Sequence, residues 1–231
     1  MKSVKIVINF ILLIIGFEVY GQQIDYPSWK DESKGNIRLL PEYGNVTKTQ
    51  DQKAADDDFI KLSLQQDGTR EKASNHMIDL GFNYLYKNDL RTAMYRFNQA
   101  WLLNPKNENA YWGFGAIYFM FNDFDNAMIQ YTKGLKVNPE SANILTDKAT
   151  VYLAKFNMTG GKINLDSAIH IFKQSYLIDP KNQNTLFKLS ACYFMDSNCK
   201  DALKYYEECK ALGGRPITKE YTEALNKRCV K

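Results

Sequence analysis

Landmark residues in this chain return after 34 positions: Pro105 and Pro139, Ala93 and Ala127, Tyr84 and Tyr118, Gly81 and Gly115, and farther on Ala168 and Ala202. A fixed period of this length constrains the fold more than composition does. It marks one supersecondary unit repeated, each copy burying its apolar face against the next, so that the chain stacks into a solenoid. A solenoid presents an extended surface to something else, which makes binding the first expectation of function.

The copies resemble the tetratricopeptide repeat, whose pattern is a large residue, then Leu-Gly, Tyr, Ala, an aromatic, a small residue and Pro at set offsets. The first copy, about residues 74–107, carries Met77 in place of the opening Trp, then Leu80, Gly81, Tyr84, Ala93, Phe97, Ala100 and Pro105. The second, about 108–141, carries Tyr111, Phe114, Gly115, Tyr118, Ala127, Tyr131, Gly134 and Pro139. The third, about 142–182, has Leu145, Ala149, Tyr152, Ala168, Phe172, Ser175 and Pro180, and the fourth, about 183–214, has Leu186, Leu189, Ser190, Tyr193, Ala202, Tyr206 and Cys209. The resemblance implies an all-α, right-handed superhelical solenoid of helix–turn–helix repeats with N- and C-terminal capping helices, filling residues 67–231. It says little about function, because one fold serves many jobs.

The residue types suit that architecture. Small residues at Gly81, Gly115, Ala149 and Ser190 on the first helices, and at Ala93, Ala127, Ala168 and Ala202 on the second, let helix axes approach. Tyr84, Tyr118, Tyr152 and Tyr193 fill the layers between, each aromatic burying about 150–250 Å². Pro105, Pro139 and Pro180 end second helices. Asn107, Ser141 and Asn182 stand where the next first helix needs an N-cap, and Asp89, Asp123, Asn164 and Asn198 stand before the second helices. The third copy is longer: Tyr152 to Ala168 spans 16 residues, where Tyr118 to Ala127 spans 9. The extra residues fall in Lys155–Leu165 around Thr159-Gly160-Gly161, which reads as a turn lengthened into a flexible loop. Such a loop is either a tolerated insertion or a partner contact on one face of the solenoid.

The N-terminus has another composition. Lys2 and Lys5 precede an apolar run over residues 6–17, and Val19-Tyr20-Gly21 offers a cleavage point. Residues 1–21 therefore read as a secretory signal peptide, too short for a comfortable span and followed by no second apolar run; an uncleaved signal anchor is the competing reading. No cysteine lies near the cleavage point for a lipid anchor, and the Tyr-Gly-Gln-Gln ending resembles exported proteins of the Bacteroidetes. The expected location is the periplasm or outside the cell. Loss of residues 1–21 removes two lysines and one glutamate, taking the net charge from +4 to +3. Basic and acidic residues are interspersed, which argues against a nucleic-acid partner.

Residues 22–50 contain Pro27, Gly35, Pro41 and Gly44 among scattered apolar residues, and are expected to be poorly ordered, with Tyr26, Trp29 and Tyr43 as adhesive points. Over 51–66, Ala55, Phe59 and Leu62 fall at helical spacing, and Asp56-Asp57-Asp58 would suit the early turns of a helix. This segment is expected to cap the open end of the first repeat. At the other end, Thr218 can cap a helix reaching about Val230, with Tyr221, Ala224, Leu225 and Cys229 on one face toward the second helix of repeat four. The four cysteines, Cys192, Cys199, Cys209 and Cys229, lie within the last forty residues. They allow three full pairings. If the capping helix returns antiparallel, Cys229 comes back beside Cys199, and a bond there would add roughly 3–4 kcal/mol in the chain-entropy model. Cys209 takes a small-residue core position, and Cys192 has no clear partner.

No phosphate loop, nucleophile elbow or metalloprotease motif is present, and the cysteines with His76 and His170 do not match a zinc pattern. Neither catalysis nor a cofactor is expected. What remains is the concave face. By resemblance it is lined by first-helix residues: Asn75, Asn109, Asn143 and Asn184 in one row, with Ile78, Phe82, Tyr86, Trp112, Phe119, Met120, Phe187, Phe194 and Met195 beside them. The amides could hydrogen-bond an extended peptide, or Asn could simply suit a first helical turn. The apolar surface points to a hydrophobic segment of a protein or peptide, unless the chain's own 22–66 segment or tight superhelical packing covers it. Two functions follow: a non-enzymatic protein-binding scaffold, or an accessory of an envelope or polysaccharide-handling system whose aromatics stack on glycan. Self-association through the groove is a further outcome.

Overall fold

In the computed structural model, which describes residues 24–230, the 34-residue period resolves into antiparallel helix pairs. Eleven α-helices are found among the described residues: α1 (Tyr26–Ser33), α2 (Gln50–Asp67), α3 (Arg70–Tyr86), α4 (Leu90–Leu103), α5 (Glu108–Met120), α6 (Phe124–Val137), α7 (Ala142–Thr159), α8 (Lys162–Ile178), α9 (Gln183–Met195), α10 (Cys199–Ala211) and α11 (Lys219–Cys229). The pairs α3/α4, α5/α6, α7/α8 and α9/α10 are the four repeats, and each second helix packs on the first helix of the next pair. First helices α3, α5, α7 and α9 also touch in sequence. They line the concave side of an all-α solenoid.

Close packing explains the small residues. A Cβ built on Gly81 or Gly113 would lie 2.4 Å from the Phe97 ring, and one on Gly115 would lie 2.3 Å from Tyr131. Each buried aromatic thus fills the space a side chain on the partner helix would need. The turns are equally regular. Asn88, Asn122 and Ser197 adopt the left-handed conformation, where a short polar side chain is tolerated. Directly after them, Asp89, Asp123 and Asn198 accept the backbone N–H groups of Thr92, Asn126 and Asp201. Asn107 and Asn182 cap α5 and α9 in the same way, whereas Ser141 makes no side-chain cap.

The third repeat departs from expectation. There is no flexible loop at Lys155–Leu165. The extra residues lengthen α7 to 18 and α8 to 17 residues, with only Gly160 and Gly161 between them. Seven residues are close to two helical turns, so adding about one turn to each antiparallel helix keeps every face in phase. Gly160, at φ 68°, closes α7 in a left-handed C-cap. Asn164 consequently lies inside α8, and Gly161 holds the N-cap position. Lys155 pairs with Asp125 at 3.0 Å and Lys162 with Asp196 at 2.6 Å, tying the protruding turn to both neighbouring repeats.

The N-terminal segment also differs from expectation: from Ile24 to Gln50 it is an ordered strap. Trp29 and Leu39 are fully buried. The strap runs over the second helices, on the convex side. Asn98 of α4 donates to the carbonyls of Arg38 and Leu40 at 2.9 Å and accepts from the Tyr43 N–H at 3.2 Å. Arg91 pairs with Glu32 at 2.8 Å, and Tyr26 donates to Asp123 and stacks on Phe121. Glu42 accepts from Tyr111 and Lys133. Glu42, Tyr43, Gly44 and Asn45 form one left-handed turn, with φ of 56°, 54°, 69° and 53°. Such a turn costs roughly 1–2 kcal/mol per non-glycine residue. The buried Tyr43 side chain and the Asn98 and Glu42 bonds hold it in place.

α2 begins at Gln50 with a capping box between Thr49 and Gln52, so Asp56–Asp58 lie beyond its first turn. Its packed residues are Phe59, Ile60 and Ser63, while Leu62 is 64% exposed. At the other end α11 docks through Tyr221 and Leu225. A disulfide joins Cys199 to Cys229, whose Cα atoms are 5.2 Å apart. Cys192 and Cys209 are buried free thiols, and burial pushes Cys192 up to about 12. The signal-peptide reading of residues 1–21 lies outside the described residues; among these, no helix is long and apolar enough to cross a membrane.

Candidate functional site: the concave groove

The first helices bring some of the expected groove residues together and remove others. Phe82 of α3 lies 4.4 Å, ring centre to ring centre, from Trp112 of α5, and 6.2 Å from Tyr86 one turn along its own helix. Tyr86 is 79% exposed and Met120 43%. With half-buried Trp112 and Phe119, which packs on Phe124, they form an aromatic, apolar wall across repeats one and two. Ile78 lies beneath this wall in the core, at 7% exposure.

Repeat four does not continue the wall. Phe187 and Phe194 meet the Tyr221 ring edge-on at 5.3 and 5.8 Å, and Arg228 lies over Phe194 at 5.0 Å. The capping helix takes the surface that the repeat pattern alone leaves open. Met195 is partly buried against the core of repeats three and four.

The asparagine row divides. Asn75 accepts from Asn107 at 2.9 Å, and Asn143 accepts from Asn182 at 3.2 Å. In both, the cap residue of the next first helix is held by the amide of the previous one, so these two asparagines stitch repeats together. Asn109 and Asn184 make no side-chain hydrogen bond among the described residues.

Three groove residues were not singled out in the sequence. Asp147 of α7 accepts from the Trp112 indole N–H at 2.7 Å. Lys188 of α9 donates to Thr150 at 2.7 Å, and its ammonium stands 4.0 Å from Asp147. Burial holds the pKa of Lys188 down, against the pull of Asp147. These residues form a polar chain from α5 through α7 to α9, so the groove passes from aromatic to charged along its length. Only a regular residue-to-residue register between copies could have shown this in the sequence: Asp79, Gly113, Asp147 and Lys188 occupy equivalent places in the four copies.

The strap leaves this face free. Its contacts are with second helices α4 and α6, with Tyr111, and with Phe121 and Asp123 in the turn after α5. His76 stands 3.2 Å from Asp67 at the α2/α3 junction, where it joins the two helices. No group of metal-ligating side chains occurs among the described residues.

No family model and no curated protein matches the sequence. Among solved structures, PilF of Pseudomonas aeruginosa superposes with a TM-score of 0.58 at 17% identity, over 68% of this chain and 70% of that one. A thermophilic TPR protein of Thermus thermophilus gives 0.55 at 18% identity, over 67% and 80%. At these identities the likeness is one of fold.

Proposed function

We propose that this chain, a tetratricopeptide-repeat solenoid by fold, is a non-enzymatic scaffold that holds a protein or peptide segment in its concave groove. One observation carries the reading: repeats one and two keep Tyr86 and Met120 exposed on the concave side beside the half-buried Phe82 and Trp112, while the strap covers their convex side. A chain that shields one face with its own residues and leaves aromatic surface open on the other offers that open face to a partner. The solenoid neighbours, as protein-repeat folds, support a scaffold in general. Export to the periplasm or beyond is part of the proposal, supported by the residue 1–21 pattern and by the Cys199–Cys229 bond, which suits an oxidising compartment.

The test is photo-cross-linking from Met120 in the native envelope, with the same probe at Ile129 on α6, which is 52% exposed, as control. The expected result is one dominant protein captured from Met120, not from Ile129, and lost on Trp112→Ala. Capture of glycan alone would favour the polysaccharide-accessory reading, and capture of a second copy of this chain would make the groove a self-association site. Equal capture from both positions would refute a groove-specific partner.

A further inference from the structure

The proposed groove leaves open which chemistry it selects, and the equivalent row Asp79, Gly113, Asp147, Lys188 narrows it. In the second repeat the row carries no charge: Gly113 has no side chain, and the buried Phe97 ring fills the space a Cβ would take. Beside it on α5, the Trp112 ring packs on Phe82 at 4.4 Å. Aromatic faces carry negative electrostatic potential, and carboxylates, Asp79 and Asp147, hold the equivalent places in the copies on either side. The row sums to one net negative charge, Lys188 included.

Asp147 is built to be used. Its Oδ2 accepts the Trp112 indole N–H at 2.7 Å, which fixes the carboxylate and ring relative to each other. Its Oδ1 has Lys188 only at 4.0 Å, the outer limit of an ion pair, and the side chain remains 32% exposed. An ionised carboxylate offers about four acceptor sites, so most of its capacity is unfilled. Tyr86, 79% exposed, stands one turn along α3 from Phe82, at 6.2 Å ring to ring, and extends the aromatic surface beside the Trp112–Asp147 pair. Cations are engaged elsewhere: Lys188 donates to Thr150 at 2.7 Å, and Lys148 reaches toward Thr132. An acidic ligand would meet aromatic faces and the Asp147 carboxylate, and the ammonium nearest to them, Lys188, already donates to Thr150 and stands 4.0 Å from Asp147.

From this geometry we infer that the cleft bounded by Phe82, Tyr86, Trp112 and Asp147 receives a basic side chain, lysine or arginine, of the bound segment, its alkyl stem on the rings and its charge at Asp147. A cation over an aromatic face with a carboxylate behind it is attracted by both. The apolar wall at Phe119 and Met120 then accepts the neighbouring apolar residue. The inference rests on the groove reading and specifies its ligand.

The test uses three capped peptides, acetyl-Leu-Lys-Leu-amide, its norleucine analogue and its glutamate analogue, titrated into the protein comprising residues 22–231. The readout is the Trp112 indole N–H resonance, assigned by its loss in Trp112→Phe. The lysine peptide is expected to bind about tenfold more tightly than the norleucine peptide, and Asp147→Asn, which still accepts from Trp112, to weaken it about tenfold. Lys188→Met, which removes the competing ammonium, is expected to tighten it. Equal binding of lysine and norleucine peptides would overturn the cation site while leaving an apolar groove standing. Preference for the glutamate peptide would overturn it in favour of Lys188. No shift with any peptide would overturn the cation site and the groove reading together.

Discussion

At the residue scale, the packing of this solenoid depends on absent atoms as much as on present ones. Phe97 lies against Gly81 and Gly113, and Tyr131 against Gly115, at distances where a methyl group would overlap the ring. The two rings are themselves fully buried, so they have no solvent side to move toward. Gly115→Ala should therefore cost about 1–3 kcal/mol in overpacking, against a gain in helix propensity of up to about 1 kcal/mol, for a net loss on the order of 1–2 kcal/mol. Thermal unfolding measured beside Gly35→Ala, whose Cβ would meet nothing within 4 Å, would check it: a melting temperature lowered at residue 115 and nearly unchanged at 35 is the expected pattern.

At the element scale, the third repeat shows how a helix pair absorbs an insertion. A seven-residue loop and a two-turn extension have the same length in sequence, and the Gly160-Gly161 pair favours the loop on inspection. The helices win because α7 and α8 already run antiparallel at that point and each added residue gains a backbone hydrogen bond in an established helix. Amide hydrogen exchange distinguishes the two: protection should extend through Gly160, whose N–H donates to the Phe156 carbonyl, and resume within α8 by about Asp166, with fast exchange limited to the turn and the first turn of α8. Fast exchange across the whole of Lys155–Leu165 would restore the loop. The helix pairs themselves were legible because a 34-residue period, small residues and caps all repeat and agree. The groove was legible in part. Trp112, Phe82 and Tyr86 follow from first-helix position, whereas Phe187 and Phe194 face the groove by position and are covered by Tyr221 of α11. The Trp112–Asp147 bond joins different copies, and a repeat pattern read one copy at a time does not contain it. The strap was illegible for a related reason. Trp29, Leu39 and Tyr43 have no common period because they pack at different places, Trp29 against Phe121 in the turn after α5 and Tyr43 beside Asn98 of α4, so nothing in the segment resembles an element with a face of its own.

At the scale of the whole molecule, the strap and the groove divide the labour between two faces. The strap bridges repeats one and two: Asn98 and Arg91 hold it on α4, while Tyr111, Lys133 and Asp123 hold it on the second repeat and its turn. Stability gained there is gained by a pair of repeats together, which matters in a solenoid whose units otherwise hold only their nearest neighbours. Asn98→Ala leaves the carbonyls of Arg38 and Leu40 and the N–H of Tyr43 without that partner, and each buried group left unsatisfied costs about 1–3 kcal/mol. The variant should release the strap to proteolysis between α1 and α2 while the groove peptides bind unchanged, because among the described residues the strap's hydrogen bonds and ring contacts fall on α4, α6, Tyr111 and the turn after α5. The Tyr26–Asp123 bond adds a pH dependence of known sign. Partial burial pushes the Asp123 carboxyl up, but the hydrogen bonds from Tyr26 and Asn126, with Lys30 nearby, outweigh it and leave the group below the usual carboxylate range. A carboxyl depressed by folding stabilises the fold above its unfolded pKa and ceases to do so as pH falls through the folded value. Protease sensitivity of the strap should thus rise only below about pH 4, and Asp123→Asn should flatten that rise. A release that instead set in near neutral pH would mean that some group other than Asp123 controls the attachment.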